Sequence, residues 1–458
     1  MSNAFNLSII KKLLASGLAL GGIFFASCSG PQGLQGSNLA YLYDPGDLAL
    51  QSHLKVVHLN DSLSRLYYRF NSSDLLYVRD NDQDQYLARF RISYQLVPSF
   101  KNNSVLDSNQ FNFEDRVRRP QEKVISGYFD FKTPQGAGAE NQALLYVKFS
   151  DLERGSSFRN FERIRKRNLH QDQNFRLSNP QEELLYKPHL PPGIPFSIEH
   201  SQKKVEQFFV SVYDREFPLA LPPYASARSS SFEIEPDTTY KISARRWIKL
   251  PHPGFYHFRT DTSQWDGFTV YSFYPEFPLV GNYENLAEPL RYLTTKDEYQ
   301  QLLDVMDQPK ELKKRIDKFW LERAGSIERS KLLISAYYKR VEEANRLFSS
   351  YMEGWKTDRG IIYTIYGPPN KVYRGMDGES WVYGNESSSL SYIFNFLKVD
   401  NPFSENDYEL ERMPQYRYGW GQAIEAWRNG HIYNSKDIRR EQDAQDQLQY
   451  RTGAPYWN

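Results

Sequence analysis

The sequence predicts a multidomain chain, mainly β and then α+β: two immunoglobulin-like β-sandwiches, a helical segment, and a small antiparallel α+β domain towards the C-terminus. Three observations predict it. Apolar and polar residues alternate with a period of two between about residues 41 and 285, and the period lengthens to about 3.6 beyond Asn285. Aromatic residues make up 15% of the chain, led by 33 Tyr and 29 Phe. Alternation marks strands with one buried face, the longer period marks helices with one buried stripe, and Tyr and Phe favour pleated, half-buried surfaces. A chain of 458 residues exceeds one hydrophobic core and fits about three domains of roughly 100–200 residues.

The first 27 residues have the parts of an export signal: Lys11 and Lys12, an apolar run over 13–25, then the small Ala26 and Ser27. That run is too short to span a bilayer comfortably. Cys28, the only cysteine, follows at once. The arrangement resembles a bacterial lipoprotein signal, which implies that Cys28 becomes the first mature residue and carries palmitate-type acyl chains. Two or more such chains anchor a protein stably. A covalent lipid at Cys28 is thus expected, and no other cofactor. Ser29 stands where Gram-negative lipoproteins kept at the inner membrane carry aspartate, so the outer membrane is expected. No acidic cluster follows to direct the chain to the cell surface, which favours the periplasmic face. Residues 28–40, rich in Gly and polar residues, read as a flexible tether. With no second cysteine the chain has no internal disulfide to lean on.

The first sandwich is expected over 41–162. Ala88, Phe90, Ile92, Tyr94 and Leu96 alternate with polar residues, as do Leu66, Tyr68 and Phe70, and residues 123–131 and 143–149 supply further apolar runs. Residues 163–195, polar and basic and then proline-bearing, read as a linker whose run Arg163-Ile164-Arg165-Lys166-Arg167 is solvated or touches lipid head groups. The second sandwich is expected over 196–285, with strands near 205–213, 231–234, 240–248, 255–259 and 268–273 separated by Pro and Gly.

Beyond it, Thr295 and Glu298 form a capping box, and two stripes follow. One runs through Leu312, Ile316, Phe319 and Trp320, the other through Leu333, Tyr337, Val341, Ala344 and Phe348. Core packing is the expected fate of both. The chain then reads Gly354-Trp355-Lys356-Thr357-Asp358-Arg359-Gly360, an apolar run over 361–366 expected as a strand, and Gly367-Pro368-Pro369 as a turn. Gly354 is expected to end the long helix in a left-handed conformation, Trp355 to bury an apolar face, and Thr357 or Asp358 to accept from turn amides. Residues 422–458 read as a polar tail, helical or ordered only on a partner.

The ordered set GWKTD, the Gly-Pro-Pro turn, Glu379-Ser380-Trp381-Val382-Tyr383 and the strand at 392–396 resembles the GWxTD domain, over roughly 295–412 and within a domain expected at 286–421. That resemblance implies a Gram-negative lipoprotein with no established enzymatic activity. Gly354, Trp355, Thr357, Asp358, Arg359, Gly367, Pro368, Trp381 and Tyr383 are its site candidates. The structural reading makes them a corner locking a long helix onto a sheet; the other reading makes Asp358 and Arg359 a partner contact. The order of strand, turn and aromatic strand also resembles small lipoproteins that assist the outer-membrane β-barrel assembly machine, a likeness of fold alone.

Catalytic and metal motifs are missing from the sequence: there is no His-Glu-x-x-His, Gly-x-Ser-x-Gly, phosphate loop or cysteine pair. His53 and His58, like His252 and His257, are five apart, which on a strand sends them to opposite faces. Asp80, Asp82 and Asp84 mimic a calcium loop, but Gln85 replaces its glycine and Arg91 its glutamate, so a polar turn is expected. Charges nearly cancel, with Lys+Arg 57 against Asp+Glu 56, and no field attracts nucleic acid. The function expected is a lipid-anchored, non-enzymatic accessory subunit of an outer-membrane complex, with other envelope proteins as partners. A glycan-binding lipoprotein is the first alternative, since sandwiches with exposed aromatics also bind sugars, and a hydrolase with an unrecognised site is the second.

Overall fold

The computed structural model describes residues 38–44, 52–80, 84–133, 142–215, 217–226, 235–386, 391–440 and 442. The signal at 1–27, Cys28, most of the tether, Asp82, the strand expected at 231–234 and the end of the tail lie outside them. Antiparallel sheets occupy the N-terminal part, followed by helices and an α+β region.

In the first body, period-two alternation gives β1 (His53–His58), β2 (Leu63–Asn71), β3 (Val78–Asp80), β4 (Gln85–Val97), β5 (Asp107–Val117), β6 (Val124–Lys132), β7 (Gln142–Asp151) and β8 (Ser156–Arg165). One sheet runs β1-β2-β6; the other runs β3-β4-β7-β8, with β5 also on β4. Leu66, Phe70, Ile92, Leu96, Leu145 and Phe131 fill the space between them. His58 is buried there, bonded to Ser64 Oγ at 2.8 Å and to the Arg165 carbonyl at 2.7 Å.

The segment expected as a linker is built into the fold instead. Its start completes β8, and β9 (Phe175–Ser178) pairs with β10 (Ser197–His200), burying Phe175 and Leu177 in the second body. The basic run is only partly solvated: Arg167 is exposed, but Arg165 is buried and ion-paired with Asp172 and Glu405. Polar side chains that satisfy one another inside a protein have the same composition as a linker in water. The second body continues with β11 (Gln207–Tyr213), β12 (Thr238–Ser243), β13 (Gly254–Arg259) and β14 (Phe268–Ser272), in the order β12-β11-β13-β14. Its core holds Phe175, Phe196, Phe208, Val210, Phe258 and Val270. His257 is buried, bonded to Thr269 Oγ1 at 2.8 Å and the Trp265 carbonyl at 2.6 Å.

The helical part comprises α1 (Tyr283–Ala287), α2 (Lys296–Leu303), α3 (Pro309–Ala324) and α4 (Ile327–Phe348). The capping box at the start of α2 is closed in both directions. The residues of both stripes are buried in one core shared with the C-terminal sheet. The α+β region follows: α5 (Asp358–Tyr366), β15 (Lys371–Arg374), β16 (Gly378–Tyr383), β17 (Tyr392–Lys398), β18 (Tyr408–Leu410) and α6 (Tyr416–Arg428), with the strands in sequential order.

Three sequence expectations fail here. Residues 361–366 form most of α5, not a strand. Every residue of α5 is buried, so no polar face reveals the helical period, and the isoleucines bias the reading towards β. Thr357 caps its start and Gly367, at φ +78°, follows its end. Second, α4 ends at Phe348, and Gly354 is not left-handed. Third, the chain after residue 421 is no free tail: Trp427, Tyr433 and Ile438 are buried in the shared core, and Trp427 Nε1 donates to the Ile365 carbonyl at 3.0 Å. The other end of the chain is held here too. Leu39 N donates to the Val372 carbonyl at 2.8 Å, and Val372 N donates to Asn38 Oδ1 at 3.0 Å, so residues 38–43 are tied to β15 while Tyr41 also packs edge-on against Phe158 of the first sandwich at 5.7 Å.

Gly421 lies on the exposed side of α6 with open space where a Cβ would stand. Gly421→Ala is expected to stabilise the protein by about 0.5–1 kcal/mol, through the lower backbone entropy of alanine in the unfolded chain. A urea titration comparing midpoints at unchanged slope checks it.

Candidate functional site

The GWKTD segment lies against α4 main chain to main chain. A Cβ on Gly354 would be driven into the Ala344 carbonyl, and a Cβ on Gly360 into the carbonyl of Gly354. Glycine at both positions lets α4, the 3-10 turn at Gly354–Lys356 and α5 stack backbone on backbone. Asn345 pins the crossing: its Oδ1 accepts from Trp355 N at 3.3 Å, and its Nδ2 donates to the Pro278 carbonyl at 3.2 Å.

Around this crossing each motif side chain is used internally. Trp355 is buried, edge-on to Tyr292 at 5.9 Å. The Thr357 hydroxyl donates to the Gly354 carbonyl at 2.7 Å and accepts from Gly360 N at 3.1 Å. Asp358 accepts from Leu410 N at 2.7 Å and pairs with Arg412, while burial pushes its carboxyl above the usual range. Arg359 is buried, donates to the Asn406 carbonyl at 3.1 Å, and lies 3.9 Å over the Tyr408 ring. Asp358 and Arg359 are therefore buried and engaged as internal braces.

The centre of the network is Glu379, which the sequence reading quoted but did not single out. Arg359 Nη1 stands 3.4 Å from it, Arg374 Nε 2.6 Å, Tyr43 OH 2.7 Å and Trp381 Nε1 3.0 Å. Burial alone would raise its pKa, but Arg374 and Arg359, with those hydrogen bonds, hold it at about 2. The signal was present in register: Glu379, Trp381 and Tyr383 alternate along β16, so a carboxyl shares the inward face with two large aromatics. Arg340, hidden in the apolar stripe of α4, was also missed. It is buried and donates to the carbonyls of Ile365 at 2.9 Å and Tyr433 at 2.7 Å, closing the C-terminal end of α5. Trp381 and Tyr383 are fully buried; Tyr383 OH donates to the Gly367 carbonyl at 2.7 Å, and Pro368 is half-buried in the turn.

What the motif presents outward is the floor of a cleft of about 880 Å³ between the second body and α2. Phe217, Phe273, Tyr274, Tyr299, Tyr351 and Trp355 line it. Its two motif-side carboxylates, Glu353 and Glu288, are held by Lys356 at 3.0 and 3.5 Å. Leu303 stands exposed at its rim. Among the described residues no group of three or more His, Cys, Asp or Glu side chains is placed to hold a metal, and no helix is long and apolar enough to cross a membrane.

Residues 254–429 match the GWxTD domain. The match begins in β13, so it takes in two strands of the second body as well as the helices and the C-terminal sheet, more than the 295–412 read from the motifs. No curated protein matches the chain.

Two outcomes are expected. Gly354→Ala should destabilise the protein by about 3 kcal/mol, because main chain stands where the methyl would go and cannot yield as a side chain would; urea unfolding measures it. Glu379 should make stability fall in acid. Its folded pKa of about 2 lies below the ordinary 4.5, so its contribution is complete above about pH 4.5 and is lost as pH drops towards 2. Unfolding free energies between pH 2 and 6 should slope less steeply in Glu379→Gln than in the parent.

Proposed function

We propose, on the premise that this chain carries a GWxTD domain, that it is a lipid-anchored, non-enzymatic accessory subunit of an outer-membrane complex. The observation that carries this reading is the aromatic cleft. It is open, large, lined by aromatics with an apolar residue left exposed at its rim, and mixed in charge, which is the composition of a protein-binding surface more than of a small reactive pocket. Its carboxylates are tied to a lysine that braces the motif, a structural use of charge.

The anchor is read from the leader and Cys28, and the fold adds a geometric consequence. Residues 38–43 are stitched to the GWxTD domain at β15. The stretch from Cys28 to Asn38 reaches at most about 35 Å when fully extended. If acyl chains sit on Cys28, that length keeps this domain near the membrane. The periplasmic face of the outer membrane is the location that fits the leader. Sugar recognition is the second reading of the same cleft, favoured by its concave aromatic wall.

Purification of the native protein in mild detergent should bring down an outer-membrane protein in stoichiometric amount. Leu303→Asp, a change at an exposed rim position, should reduce that recovery at least tenfold with an unchanged melting temperature. A strictly monomeric protein with no companion overturns the reading, and saturable binding of envelope glycans, lost in Leu303→Asp, selects the second one. Cys28→Ser should abolish metabolic labelling by an alkyne-bearing palmitate and release the protein from membranes.

A further inference from the structure

A smaller cavity, of about 320 Å³, opens where three parts of the chain meet: β1 and β8 of the first body, the start of β14 in the second, and α4 with the loop at 399–407 in the GWxTD domain. Its walls are unbalanced. Lys55, Arg165, Arg167, Lys187, Arg346 and Lys398 face four acids, Asp172, Asp266, Asp400 and Glu405. Three of the acids are already engaged. Asp172 and Glu405 pair with Arg165, Glu405 also with Lys398, and Asp266 accepts from Asn168 Nδ2 at 2.6 Å.

Lys187 is left over. It is half-buried and makes no hydrogen bond or ion pair with any described residue, and the charge that acts on its ammonium is that of Arg346, another cation. Arg346, exposed at the mouth of the cavity, has Glu342 at 3.7 Å and the charge of Glu343 on its own helix. Beside them His189 is neutral at pH 7, since burial and then Lys187 lower its pKa to about 4. Lys55, whose ammonium lies 5.0 Å from the centre of the Phe268 ring, is already balanced by the charges of Asp172 and Glu162. An ammonium drawn partly out of water with no acid on it and a second cation beside it is unfavourable, and such an arrangement at a cavity marks a place for a negative ligand.

We propose that this cavity binds a phosphate monoester or inorganic phosphate, held between Lys187 and Arg346. A dianion matches that surplus better than a single carboxylate, and a guanidinium beside an ammonium is the pairing that grips phosphate oxygens in a fork and by point charge. The volume lies at the lower end of small-molecule sites, roughly 300–1,000 Å³, and admits a phosphorylated head group or metabolite, not a folded chain. Because its walls come from three bodies, the bound anion would tie them together. The site is independent of the aromatic cleft and survives a failure of the partner reading.

The test uses the full chain in mild detergent. Calorimetric titration with inorganic phosphate and with sn-glycerol 3-phosphate should show saturable binding that raises the melting temperature. Lys187→Gln and Arg346→Gln should each weaken it at least tenfold, and without phosphate Lys187→Gln should melt no lower than the parent, because a repulsion has been removed. Micelles doped with phosphatidic acid, against phosphatidylcholine as control, identify the source: a stabilisation by phosphatidic acid alone, lost in both variants, assigns the site to a lipid head group, and binding of the free esters assigns it to soluble phosphates. If neither form binds, or if Lys187→Gln binds as tightly as the parent, the proposal is overturned.

Discussion

Main chain resting on main chain at Gly354 and Gly360 is the constraint from which the rest of the C-terminal half follows. Because α5 can approach α4 that closely, Trp355 is carried under the crossing, Thr357 arrives where it caps α5, and Asp358 and Arg359 are turned inward. The residue types of the motif are thus explained without any appeal to reactivity. Glycine is required twice for space, threonine for a hydroxyl that both donates and accepts, and aspartate for a carboxylate that ties β18 to the helix start through Leu410 N.

The buried charges are harder to account for by stability alone. Taking Glu379, Arg359 and Arg374 out of water is expensive, and an apolar trio of equal volume would often be no worse. What the network supplies is position. Glu379 gathers donors from the N-terminal segment, α5, β15 and its own strand, so the sheet, the helix and the start of the chain have one mutual arrangement in which every donor is satisfied. Asn406 plays the same part for the loop before β18: it accepts from Arg359, and its own amide donates to the carbonyls of Leu347 and Ser349.

Legibility in the sequence followed exposure to water. Strands with one wet face, such as β2 and β4, and helices with one wet stripe, such as α3 and α4, show their period and were readable. The capping box of α2 was readable because its chemistry is local. Elements buried on every side lose the contrast that reveals a period, and α5 was accordingly mistaken for a strand. Polar segments erred in the opposite sense: the stretch from Arg163 to Asn174 and the chain beyond Gln422 look like linker and tail, since nothing local tells that Arg165 will meet Glu405 or that Trp427 will meet Ile365. Of the site, the apolar and glycine positions could be named in advance, whereas Glu379 and Arg340 depended on partners far away in the chain.

The stitching of Asn38 and Leu39 to the β15 strand joins residues more than three hundred positions apart. Loop-closure entropy must be spent on that scale before the contact repays it, so this seam closes late in folding. The first described residues of the chain therefore wait for nearly all that follows them. Until then β15 keeps an open edge and Tyr43 has no carboxylate to meet, which makes the incompletely folded chain the form most open to a foreign strand or a protease.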